Sequence, residues 1–137
     1  MFNSQQALKQ YSAVDQTVQA KHTTPHQLTA MLLSGVLRSL ETAETAMKQK
    51  KFQLKGEQLN QAINIIEELD DSLDLENGGE LAQNLRRLYP YMVQVLYKSS
   101  FNNDVSLVRE VSDLLQEINS AWESIPLQYR NNTSIIK

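Results

Sequence analysis

The chain has 137 residues, with 16 acidic and 13 basic side chains, a formal charge of −3 and no cysteine. That length suits one domain with a single core. The composition excludes disulfides and thiolate metal sites and offers no basic excess for nucleic acid. No apolar run approaches the roughly 20 residues of a membrane span, so no membrane insertion is expected. The N-terminal MFNSQQALKQYSAV is too polar for a signal peptide, and the default location is the cytoplasm. Four glycines and three prolines leave long uninterrupted stretches, which favours helices over many short strands.

Residues Met1 to Thr23 form a polar arm rich in Gln, Ser, Lys and Thr, with sparse apolar residues at Phe2, Leu8, Tyr11, Val14 and Val18. The stripe is too thin for a stable helix on its own. The first predicted helix opens at Thr24 and runs to about Lys50. Thr24 is its N-cap, Pro25 its first residue, and Gln27 completes a capping box. The second covers about Phe52 to Leu73, with Leu59, Ala62, Ile63, Ile66, Leu69 and Leu73 at helical spacing. LDLENGGE then breaks the pattern, and Gly78-Gly79 makes the turn. The third covers about Glu80 to Phe101, with Pro90 in its middle, where a kink is expected. The fourth runs from about Asp104 to Ser124 with one clean apolar face: Leu107, Val111, Leu114, Leu115, Ile118, Trp122 and Ile125. Pro126 ends it, and residues 126–137 read as a loose tail. Four long helices with short turns predict an all-α, antiparallel up-down four-helix bundle, carrying a mobile N-terminal arm.

Two of these helices are wider in apolar surface than a single stripe requires. The first adds Leu33, Leu37 and Leu40; the third adds Tyr89, Val93 and Tyr97. Either both helices bury two faces inside the bundle, or the extra rows form a groove for an apolar partner. His22 and His26 are four apart, but Pro25 and the helix start intervene, and no Glu-x-x-His pair exists to build a carboxylate metal site. The acidic run EELDDSLDLE reads as solvated surface. Nothing in the residues supports an enzyme, a metal site or a cofactor.

Two segments carry a family resemblance. One is Thr24-Pro25-x-x-Leu28-x-x-Met31-Leu32-x-x-Gly35. The other is Ser72-Leu73-Asp74, then Gly78-Gly79-Glu80-Leu81-Ala82, then Leu88-Tyr89-x-Tyr91-Met92. With Asn103-Asp104 and Ala121-Trp122 in similar places, the stretch from Tyr11 to Trp122 resembles the FliS family of flagellar secretion chaperones. Leu33 and Ser34 depart from the family's usual Tyr and Asp or Asn, and Pro90 is unusual between two tyrosines. The resemblance implies a cytoplasmic chaperone without catalysis. Its partner would be the disordered C-terminal segment of flagellin, kept from polymerising and fit for secretion, with the export apparatus and other flagellar regulators as further contacts. Under it, Leu33, Leu37, Leu40, Tyr89, Val93 and Tyr97 would receive the client, and Leu8, Tyr11 and Val14 on the arm would compete for the same groove. Monomer and homodimer both stay open. The alternative is a helical regulatory or adaptor bundle of the phosphotransfer kind, which needs an exposed mid-helix histidine.

Overall fold

The computed structural model describes residues 24–125 together with 135 and 136. The arm, including Leu8, Tyr11, Val14 and His22, lies outside the described residues. Four helices follow in chain order: α1 Pro25–Lys48, α2 Phe52–Asp71, α3 Gly79–Asn102 and α4 Val105–Glu123. Every helix pair that packs extensively is a neighbour in sequence or the closing pair α1 and α4. The result is an up-down-up-down ring around one core.

Each boundary has a local cause. The Thr24 hydroxyl accepts from the Gln27 backbone N–H at 3.1 Å, and the Thr24 backbone N–H donates to Gln27 Oε1 at 3.0 Å. These bonds satisfy donors that a helix start otherwise leaves open. At the other end of α1, Lys50 adopts the left-handed region at φ 58°, which stops the helix at Lys48 rather than Lys50. The Asp104 carboxylate caps α4 by accepting from the Ser106 N–H at 3.0 Å. Between α2 and α3, Asp74 Oδ1 accepts from the backbone N–H groups of Glu76 and Asn77 at 3.2 and 3.1 Å, which folds LDLENGG into a compact turn. α3 runs unbroken through Pro90.

Polar clasps fix the antiparallel pairing. At the start of α1, His26 is buried and stacked on Trp122 near the end of α4, with ring centroids 4.7 Å apart. The Trp122 indole N–H donates to the His26 carbonyl at 3.0 Å, and His26 Nε2 lies 3.2 Å from the Trp122 carbonyl. At the opposite end, Lys55 Nζ near the start of α2 donates to the Ser100 carbonyl near the end of α3 at 3.0 Å. Between clasps lies a continuous core that includes Val36, Leu40, Ile65, Ile66, Leu69, Met92, Leu96, Val111 and Leu115.

One segment departs from the sequence reading. Ile135 and Ile136, placed by the sequence in a loose tail, are held against the α2–α3 turn. Leu73 and Ile136 form an antiparallel bridge, the Asp74 N–H donates to the Ile135 carbonyl at 2.7 Å, and Ile136 is buried in the core cluster. Two consecutive β-branched apolar residues in a polar stretch are seated in an apolar slot beside the turn.

Candidate functional site

The two extra apolar rows do not share one environment. Tyr89, 3% exposed, is a core residue whose ring edge borders a groove between α2 and α3, whereas Leu33 and Leu40 are fully buried and line no open groove. This corrects the sequence assignment for them. The reason is geometric. Steps of four residues advance roughly 40° around a helix and a step of three retreats by roughly 60°. Leu37 is therefore carried outward and is half-buried, while Leu33 and Leu40 both point between the neighbouring helices α2 and α4. A helix flanked by two others needs a wide apolar face to fill both seams.

On α3 the same drift is never reversed. Tyr89 is buried, Val93 is half-buried, Tyr97 is 58% exposed and Phe101 is 90% exposed. The row is a continuous apolar ramp that leaves the core and ends in solvent. Its lower part opens into a groove of about 270 Å³ between α2 and α3, bordered by Ile66, Glu67, Asp70, Pro90, Val93 and Gln94, with the edge of the buried Tyr89 ring at its floor. The sequence reading named Tyr89 and Val93 as groove candidates, together with Tyr97, and named no residue of α2 among them. Ile66 read as plain core, Pro90 as a kink, and Asp70 as part of a solvated acidic run. Pro90 has no N–H, so the Arg86 carbonyl one turn earlier loses its helical donor.

The groove's electrostatics are mild. Burial pushes the Asp70 carboxyl above its ordinary value, and the Arg86 guanidinium at 3.2 Å opposes the rise. Burial, with the Asp70 charge behind it, pushes the Tyr89 hydroxyl far above the ordinary phenol range, so it stays neutral. A second, larger depression of about 540 Å³ at the α2–α3 turn is lined by Asp71, Leu73, Asp74, Leu75, Glu76, Asn77 and Arg86. The Asp74 carboxylate serves the turn itself, as its bonds to Glu76 and Asn77 show.

No group of three or more His, Asp or Glu side chains is arranged to hold a metal among the described residues. None of the described helices is long and apolar enough to cross a membrane. His26 is 4% exposed beneath Trp122, which removes it as a phosphate acceptor.

The class of protein is thus an antiparallel four-helix bundle with an apolar seam and ramp along one helix and a buried, ring-stacked His26. Comparison with known proteins narrows it. A family model described as "Flagellar protein FliS" matches residues 7–129. The chain is 44% identical over 119 residues to the flagellar secretion chaperone FliSB of Pseudomonas aeruginosa, covering 87% of this chain and 94% of that protein. It is 35% identical over 128 residues to the flagellar secretion chaperone FliS of Vibrio cholerae, covering 93% and 94%. With the Escherichia coli protein of the same name the identity is 48% over 98 residues, 71% of this chain and 72% of that one. The chain belongs to the FliS family of flagellar secretion chaperones.

Proposed function

We propose that this chaperone binds the disordered C-terminal segment of flagellin in the cytoplasm, along the α2–α3 groove and the α3 ramp. Occupying that segment keeps the subunit from polymerising before export. The protein works by binding alone, without catalysis or a cofactor. The observation that carries this reading is the ramp Tyr89, Val93, Tyr97, Phe101, whose outer members, Tyr97 and Phe101, are the most exposed large apolar side chains among the described residues. A client helix laid against it buries apolar side chains worth roughly 1.5–3 kcal/mol each, set against the cost of ordering a disordered chain. Leu8, Tyr11 and Val14 of the arm compete with the client for the same surface, their tether giving them a high effective concentration. Leu37 is half-buried on α1 and does not line this groove, and the polar outer faces are left for the export apparatus and other flagellar regulators.

The test is a titration of the C-terminal segment of the same organism's flagellin, followed by calorimetry and circular dichroism. Binding at micromolar strength or better, about −8 kcal/mol, with a gain of helix, is expected. No binding at tens of micromolar overturns the proposal.

A further inference from the structure

Ile135 and Ile136 close a small apolar cavity to which all four helices contribute, among them Leu69, Leu73, Leu85, Tyr89, Ile118 and Trp122. The docking uses strand chemistry in a helical protein. One backbone hydrogen bond, from the Asp74 N–H to the Ile135 carbonyl, and one antiparallel bridge to Leu73 align the tail, and Ile136 fills the slot. Gly78 leaves room for it: a Cβ there would stand 3.0 Å from the Ile135 Cα. The turn is thus shaped to receive an extended backbone.

We propose that Ile135-Ile136 is a detachable clasp, which seats in this slot in the free chaperone and leaves it when a client occupies the α2–α3 groove. Two observations carry this. First, among the described residues the seat rests on two apolar side chains, one backbone hydrogen bond and one bridge, while each helix contributes several core residues. Segments with few buried apolar contacts open locally, well below the cost of global unfolding. Second, slot and groove are continuous. Tyr89 lines both, and the slot's Leu69 and Leu85 sit one helical position and one turn from the groove's Asp70 and Tyr89. A client that shifts the Tyr89 ring or extends past it meets the tail. The vacated slot then offers an apolar hole and a backbone donor at Asp74 to an extended apolar segment of the client, as strand addition does elsewhere. The displacement step rests on the flagellin reading above.

The chain lacks cysteine, so a single Ile136→Cys substitution gives a unique thiol reporter in the full-length protein. Its rate of reaction with a maleimide is compared with that of Val111→Cys, buried at mid-bundle, and with that of a free peptide of residues 131–137 carrying the same Ile136→Cys change. In the free protein, the thiol at position 136 is expected to react about 10- to 1,000-fold more slowly than the peptide and at least tenfold faster than the thiol at position 111. Saturation with the flagellin C-terminal segment, with binding verified by calorimetry on the same variant, should raise the rate at position 136 at least tenfold and leave the rate at position 111 unchanged. Equal rates at positions 136 and 111 in the free protein would overturn the clasp, because the tail would then be permanent core. Verified binding with an unchanged rate at position 136 would overturn the displacement. Failure of the segment to bind counts against the flagellin reading, while the comparison in the free protein still decides the clasp. Ile136→Asp provides a second check: a detachable tail leaves the melting temperature within a few degrees, and global unfolding rejects it.

Discussion

Placing a carboxylate at Val93 separates groove from core most sharply. Val93 is half-buried at the groove wall, so Val93→Asp forfeits part of one valine's burial, about 1 kcal/mol of fold stability. At roughly 4 °C per kcal/mol for a chain of this size, the melting temperature should fall by only a few degrees. Client binding should suffer more. The substitution removes a side chain that the client would bury and adds a negative charge to a groove already holding Glu67 and Asp70. Lost burial and desolvation of the new charge together amount to about 2–4 kcal/mol, or roughly a 30- to 800-fold weaker dissociation constant. Leu40→Asp is the contrast. Leu40 is fully buried, and an unpaired charge there should consume most of a stability of about 5–15 kcal/mol and unfold much of the bundle. Thermal melts and calorimetry on both variants make the comparison. A folded Val93→Asp protein that binds the flagellin segment as tightly as wild type would refute the assignment of the groove.

Other outcomes follow from the clasps and the turn. Trp122→Phe keeps an aromatic ring against His26 but removes the indole N–H bond to the His26 carbonyl, so about 0.5–1.5 kcal/mol of stability should be lost in denaturant unfolding; an unchanged midpoint would deny the bond its role. Gly78→Ala should lower the melting temperature, because the new Cβ would lie 2.5 Å from the Asp74 carbonyl oxygen, itself fixed by the Gly78 N–H at 2.8 Å. The Arg109 hydrogen bond holds the Glu44 carboxyl below its ordinary 4.5. Its folded value is therefore depressed: the contribution is complete above 4.5 and is lost as pH falls through the folded value. Arg109→Gln should accordingly lower stability slightly at neutral pH and make no difference in acid, as melts across that range would show.

Helix positions were legible because their punctuation is local. Thr24-Pro25-x-Gln27, Gly78-Gly79 and Asn103-Asp104 each act within a few residues, and the structure places helix ends at all three. The width of α1 was legible too, but its meaning was not. Whether Leu33 and Leu40 face solvent or a neighbour depends on which helices flank α1, a matter of tertiary packing that spacing along one helix does not encode. The groove needed two helices at once: Ile66 and Asp70 from α2 meet Tyr89, Pro90 and Val93 from α3 only after the turn is made. Ile135-Ile136 carried a visible signal, two branched apolar residues in a polar stretch, but its slot draws on all four helices.

The central claim is that the client lies along the α2–α3 seam, and photo-crosslinking tests it most directly. A benzophenone amino acid replaces Gln94, exposed at the groove, or Gln116, exposed on α4, and each variant is irradiated with the flagellin C-terminal segment. The account expects a covalent adduct from position 94 that Val93→Asp suppresses, and little or none from position 116. Adducts from position 116 alone, with the segment bound, would contradict it.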